Sequence, residues 1–310
     1  MRSPWVCLAH THQTLYLSDK KETSLPSIRP SQSEKADAFS ALHQAAGAFV
    51  IPNPWDLGTA RLLEQSGFPA LATTSAGFAF SHGQPDNTVS LEALLAHLAE
   101  LTNGTSVPVS ADLENGFGDE PQIVARTIRL AAEAGVAGGS IEDSTGRSSD
   151  PLYECAFAME RIRAAAEAAK ALPFRFTLTA RAENFLVGRP DLADTIARLQ
   201  AYQEAGADVL YAPGLSRQED IAQVIREVDR PLNVLIGFPN ISLGVRELEA
   251  MGVKRISVGG SLARAALGEL MRAAIELRDQ GTTGYARTAM AGKTLNEMFT
   301  SADGSGRGVR

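Results

Sequence analysis

Five carboxylates stand where short apolar runs of the sequence end. Asp112 and Glu114 lie two apart in SADLENGFGD, Glu142 and Asp143 are adjacent in AGGSIED, and Glu183 follows Arg181 in TARAENF. Residues two apart on a strand share a face, so Asp112 and Glu114 would point the same way. Carboxylates gathered on neighbouring strands repel unless a cation neutralises them. Oxygen donors without a nearby histidine suit Mg²⁺ or Mn²⁺ better than zinc. Mg²⁺ keeps several waters, so a mixture of direct and water-mediated carboxylates fits. Arg181 adds a guanidinium that can hold a substrate carboxylate through two parallel hydrogen bonds. A metal and an arginine facing one small pocket point to an anionic 2-oxo acid. The ion would chelate the oxo group and one carboxylate, and would stabilise the enolate left when the neighbouring bond breaks. Plainer roles stay open: Asp119 as a helix cap, Asp143 and Ser144 as turn formers, Arg181 and Glu183 as a structural ion pair.

Those carboxylates need a scaffold that brings strand ends together. From about residue 36, short apolar runs alternate with amphipathic segments. Eight runs read as buried parallel strands: 48–53, 70–75, 107–112, 138–143, 176–181, 208–213, 232–237 and 255–260. Between them, 56–66, 120–134 and 191–205 read as helices that stop at Gly67, Gly135 and Gly206. The junctions AAEAGVAGGS, YQEAGADVLY and LEAMGVKRISV repeat one helix-to-strand phrase. Repetition of that kind argues for one α/β domain, a (β/α)₈ TIM barrel over 36–300. An open doubly wound sheet would carry a GxGxxG turn after an early strand, and Pro54-Trp55-Asp56 stands there instead. Residues 286–299 read as one further helix. Residues 1–35, which include His10 and His12, read as a polar disordered tail without the apolar stretch of a signal peptide. Residues 301–310 read as a flexible end.

Strand ends are where a barrel does chemistry. Read in order they offer Asn53 with Asp56, then Thr73, Thr74 and Ser75, then the acidic residues, Arg181 and Glu183, Tyr211, and Asn233. Several classes are excluded. Schiff-base barrel aldolases need a strand-end lysine, but none lies between Lys35 and Lys170, and Lys170, Lys254 and Lys293 fall on or beside helices. There is no P-loop, GxSxG or HExxH. A net charge of −7 and a pI of about 5.4 speak against a nucleic-acid partner. No run of about 18 apolar residues suggests a membrane span. Two distant cysteines, Cys7 and Cys155, form neither a disulfide framework nor a zinc motif, so a cytoplasmic setting is expected.

The phrases IPNPWDLGTARLLEQSGFPALATTSAG, GQPD, SADLENGFGD, AGGSIED, TARAENF, AGADVLYAPG and ISVGGSLAR together resemble the isocitrate lyase/phosphoenolpyruvate mutase family over roughly residues 38–300. The resemblance implies Mg²⁺ held by Asp112, Glu114 and Glu142, with Asp86 of GQPD in the outer shell. It implies that Thr74 and Ser75 hold the oxo-acid end of the substrate and that Arg181 binds its carboxylate. It also implies a homo-oligomer, a tetramer or dimer, in which a C-terminal helix is exchanged between subunits.

One loop departs from that family. Its isocitrate and methylisocitrate lyases carry Lys-x-Cys-Gly-His after the fourth strand, the Cys being the general acid, whereas STGRSSDPLYE stands here and Cys155 falls later, on a helix. The Asn/Lys gating loop of the phosphonate enzymes is missing as well. Arg147 and His82 are then the candidate acids. The expected function is a Mg²⁺-dependent lyase cleaving a C–C bond beside a 2-oxo or 2-hydroxy acid, with oxaloacetate- or methylisocitrate-like substrates. A P–C bond enzyme acting on phosphonopyruvate and a non-catalytic 2-oxo-acid binder are the alternatives.

Overall fold

A computed structural model describes residues 29–302 of the 310-residue chain. Eight parallel strands form one sheet: β1 (Phe49–Ile51), β2 (Leu71–Ala72), β3 (Val109–Asp112), β4 (Gly138–Glu142), β5 (Thr177–Arg181), β6 (Val209–Tyr211), β7 (Leu232–Leu235) and β8 (Arg255–Ser257). Their order, β1-β8-β7-β6-β5-β4-β3-β2, wraps the sheet round, and Ala72 N–H donates to Pro52 O at 3.0 Å across the remaining gap. All eight expected strands are present, and the chain is a (β/α)₈ barrel.

Helices cover the outside for the reasons their sequences give. Pro121–Glu133 has proline in its first turn and buries Val124, Thr127, Ile128 and Ala131, an i, i+3, i+4, i+7 stripe. Leu57–Gln65 starts at an Asp56–Thr59 capping box. Leu192–Ala205 is capped by Asp191 and stops at Gly206, whose φ of +110° a side chain would strain.

Three expectations are corrected. The helix Gln32–Gln44 begins inside the stretch expected to be a tail. Ser31 and Glu34 close a capping box at its start, and buried Lys35 donates to Thr102 O and Thr105 O at 2.9 and 2.6 Å. The rest of that tail, with His10 and His12, and residues 303–310 lie outside the described residues. Second, the helix expected over 286–299 is two pieces: a 3-10 turn, Gly284–Arg287, and a helix, Gly292–Ala302. The second piece lies against Leu57–Gln65, where Gln65 Nε2 donates to Met298 O. Third, strand two is short. Thr74 caps a helix, Ser75–Ser81, that begins where strand was expected, its hydroxyl accepting from Gly77 N–H. No helix among the described residues is long and apolar enough to cross a membrane.

The register explains how a site forms. Glu142 pairs with Arg181, Arg181 with Tyr211, Tyr211 with Asn233, and Asn233 with Arg255. Partners in register point to the same side of a sheet, so this row runs round the barrel interior.

Candidate active site

A cavity of about 330 Å³ opens at the C-terminal ends of the strands. Thr74, Ser75, Asp86, Asp112, Arg181, Tyr211 and Asn233 all line it. Glu142 and Glu183 sit behind that wall and reach it through Arg181, while Glu114 stands beside Asp112. Arg181 is the hub. Its Nη1 meets Asp112 Oδ1 at 3.0 Å, its Nη2 meets Glu142 Oε2 at 3.0 Å, and its Nε meets Glu183 Oε1 at 2.8 Å. The side chains are 4–15% exposed, so the pairs are buried. Tyr211 lies beneath the guanidinium, 5.2 Å from ring centre to Cζ. A guanidinium thus supplies part of the positive charge that the crowded carboxylates require.

Three carboxylates for one cation leave negative charge in excess. Burial pushes Glu142 well above the ordinary carboxylate range and Glu183 above it, against the pull of Arg181. Arg181 is held correspondingly high by Glu183, Glu142 and Asp112, which outweigh its burial. Glu114 follows β3 with a left-handed φ of +49°, and its N–H approaches Asp112 Oδ1 at 3.4 Å. Burial, then Asp112 and Asp86, push Glu114 up to about 7. Asp86 sits at the exposed rim. Burial of its carboxyl and the charge of Asp112 raise it, against a hydrogen bond from Ser75. Asp112 Oδ2 accepts from Ser75 N–H at 3.1 Å, and Asp112 N–H donates to Thr73 Oγ1 at 2.8 Å, which fixes the carboxylate.

This donor set suits a hard divalent ion. Its oxygens are all carboxylate or hydroxyl, and the surplus negative charge is on the side of Asp86, Asp112 and Glu114. Among the described residues, no three acidic, His or Cys side chains close tightly enough to hold an ion unaided. An ion bound there would keep much of its water, as Mg²⁺ does.

The loops over the site are tied by residues that sequence reasoning did not find. Arg161 is 1% exposed and donates to Gly118 O and Asp119 O, each at 2.8 Å, to Asn115 O, and to Glu142 O at 3.3 Å. It thereby binds the loop after β3 to β4 while stacking under Tyr153 at 4.0 Å. Asp119 does not cap the following helix: its carboxylate accepts from Tyr153 and pairs with Arg147 at 2.9 Å. Asp143 is no turn former. It faces away from the cavity and accepts from Glu183 N–H at 2.8 Å, Tyr202 OH at 2.6 Å and Arg198 Nη1 at 3.1 Å. The candidate acids fare poorly. Arg147 is half exposed in its pair with Asp119, and His82 Nδ1 lies against Phe78 O and Ser81 Oγ; neither lines the cavity.

Asn53 locks the mouth. Its Nδ2 donates to Thr73 O at 2.9 Å, while its Oδ1 accepts from Val258 N–H at 3.0 Å and Gly259 N–H at 2.8 Å. The outer wall is apolar, with Leu186, Leu215, Phe238 and Ile241. The floor contains Arg255, which opens β8. Its inward direction could have been read from its two-residue spacing to Ser257, but nothing in sequence marked that strand's first residue as reaching the site.

The phosphoenolpyruvate phosphomutase family profile matches residues 39–278. A 2-methylisocitrate lyase of Bacillus subtilis is 32% identical over 212 residues, 65% of this chain and 67% of that protein. A solved structure from Burkholderia cenocepacia, assigned to the lyase/mutase class without an established activity, is 59% identical with a TM-score of 0.86, covering 88% of this chain and 98% of its own. An oxaloacetate acetylhydrolase solved with its product oxalate is 27% identical, with a TM-score of 0.79 and coverage of 88% and 96%.

Proposed function

The chain belongs to the phosphoenolpyruvate phosphomutase family, and we propose that it is a Mg²⁺-dependent lyase cleaving a C–C bond beside a 2-oxo or 2-hydroxy acid through an enolate. The observation that carries this reading is Arg181, held by three carboxylates at the wall of a small cavity whose other acids bear surplus negative charge. The kinship with a 2-methylisocitrate lyase and an oxaloacetate hydrolase supports a small organic acid as substrate.

Each residue has work to do. Arg181 spends one N–H on each carboxylate and has N–H groups left for a substrate carboxylate. Its three partners prevent it from swinging, so the bound acid is oriented. Tyr211 and Asn233 would flank that acid, and Thr74 and Ser75, which line the same cavity beside Asp112, would hold its oxo-acid end. Asp112, which lines the cavity, would hold the ion directly, with Glu114, Glu142 and Asp86 reaching it through its waters. Bound Mg²⁺ supplies charge stabilisation at the oxygen where negative charge collects. Glu114, pushed up to about 7 by burial and by Asp112 and Asp86, would give up its proton when the ion binds beside it. The apolar wall of Leu186, Leu215, Phe238 and Ile241 excludes water from the carbanion side.

The helix Ser261–Gln280 supports a homo-oligomer. Ala263 is its only buried residue, while Leu267, Leu270, Met271 and Ile275 form a helical stripe that is 41–60% exposed. A second copy of the chain is the proposed cover.

The lyase reading is tested by incubating protein and Mg²⁺ with oxaloacetate, 2-methylisocitrate, isocitrate, alkylated malates and phosphonopyruvate, followed by ¹H and ³¹P NMR. Metal-dependent release of an oxo acid or oxalate is expected. A changed ³¹P signal alone would establish P–C cleavage instead. Mg²⁺-dependent oxalate binding without turnover of any acid would indicate a binder.

A further inference from the structure

Arg255 is a buried cation without a counter-ion. It is 5% exposed and lines the cavity together with Asn233, Tyr211 and Ser257. Its Nε donates to Asn233 Oδ1 at 3.0 Å, and its Nη1 has no hydrogen-bond partner among the described residues. The other buried arginines are satisfied differently. Arg181 has three carboxylates, Arg198 has Asp143 and Asp194, and Arg161 donates to four carbonyls. No carboxylate of the described residues lies within ion-pair distance of Arg255.

Asn233 cannot make up the deficit. Its amide is oriented by donating to Ser257 Oγ at 2.9 Å, which turns its oxygen to Arg255 but brings no charge. Burial lowers Arg255 only to about 10, so it stays charged at neutral pH. A charge removed from water without a partner is among the least favourable arrangements in a protein interior. Nη1 itself is buried, but the Arg255 side chain lines an open cavity, where a ligand can bring the missing negative charge to the guanidinium.

We propose that Arg255, with Asn233 oriented by Ser257, is an anion subsite in the cavity floor that takes a second carboxylate of the substrate. The proposal rests on the lyase reading and narrows its substrates to diacids. The register row from Glu142 to Arg255 then carries two cations for the two ends of one molecule. Arg181, surrounded by carboxylates, orients the 2-oxo or 2-hydroxy end. Arg255, lacking any, selects for the distal charge. A monoacid of equal length leaves Arg255 unpaired and binds more weakly.

The test compares acids that differ only in the distal carboxylate. Calorimetry on the full chain with Mg²⁺ would use malate against 2-hydroxybutyrate and 2-hydroxyglutarate against 2-hydroxyvalerate, with oxalate as a probe too short to span both arginines. At least one diacid should bind about tenfold or more tighter than its partner, as expected for a charge-assisted contact. Arg255→Met should erase that preference and leave oxalate binding unchanged, while Arg255→Lys keeps part of it. The proposal is overturned by a wild type that binds oxalate with no diacid preference, by a preference that survives in Arg255→Met, or by loss of oxalate and diacid together in that variant. A wild type that ignores oxalate yet prefers diacids through Arg255 would sink the lyase reading and leave the subsite standing; one that binds neither sinks both.

Discussion

Replacing Arg181 with glutamine should unbalance the site more than any other single change. The guanidinium touches Asp112, Glu142 and Glu183 at 2.8–3.0 Å, and none of the four side chains is more than 15% exposed. Removing one partner of a buried pair costs about 3–5 kcal/mol. The three losses do not add, because the carboxylates can take up protons. Glu142 and Glu183 are already pushed upward by burial, and without Arg181 they rise further. A total of about 3–5 kcal/mol lowers Tm by about 6–20 °C for a domain of this size. The sign with pH follows from the raised pKa values. A carboxyl whose folded pKa exceeds its unfolded value contributes fully below about 4.3 and loses that contribution as pH rises through the folded pKa. The variant's deficit should therefore be larger at pH 8 than at pH 5. Thermal melts of metal-free protein at both pH values read this directly. A Tm within about 2 °C of wild type at pH 8, or a deficit that grows as pH falls, would refute the account of Arg181 as the neutralising cation.

Other parts of the structure give equally definite expectations. Mg²⁺ binding should weaken about tenfold between pH 8 and pH 6, because Glu114, held near 7, must lose its proton to serve the ion; calorimetry in two buffers reads the released proton, and Glu114→Gln should flatten the dependence. Asn53→Leu leaves Thr73 O, Val258 N–H and Gly259 N–H unpaired and should destabilise the barrel by about 2–4 kcal/mol in urea unfolding, with an unchanged m-value. Leu270→Glu with Met271→Glu should reduce the mass seen by light scattering to that of one chain, and a monomeric wild type would dismiss the proposed interface.

Much of this architecture is legible in the sequence because a barrel is repetitive. Each strand is a short apolar run, and Asp112, Glu142, Arg181 and Tyr211 each end one. The two-residue period also separates Glu142 from Asp143, sending one inward and the other to Arg198 and Tyr202. Long-range pairings left no local trace. Asp119 has the position of a helix cap, yet its partners are Arg147 and Tyr153, across a loop whose course local propensity does not determine. Arg161 sits on the buried face of its helix with Ala158, Ile162 and Ala165, where an arginine is rare, and only the packed loops reveal that it holds four carbonyls. Ser75 looked like a strand end, but Thr74 turns the chain into a helix there. Arg255 stayed hidden because it lies at the beginning of its strand, whereas site residues were sought at strand ends.

The most direct test of the lyase account is a reaction in D₂O with Mg²⁺, read by ¹H NMR, using whichever diacid of the panel the protein cleaves. An enolate protonated by solvent leaves one deuterium on the carbon from which the bond was broken. The account predicts that label, with release abolished by EDTA and by Asp112→Ala. Product carrying only protium, or release indifferent to EDTA and to Asp112, would contradict it.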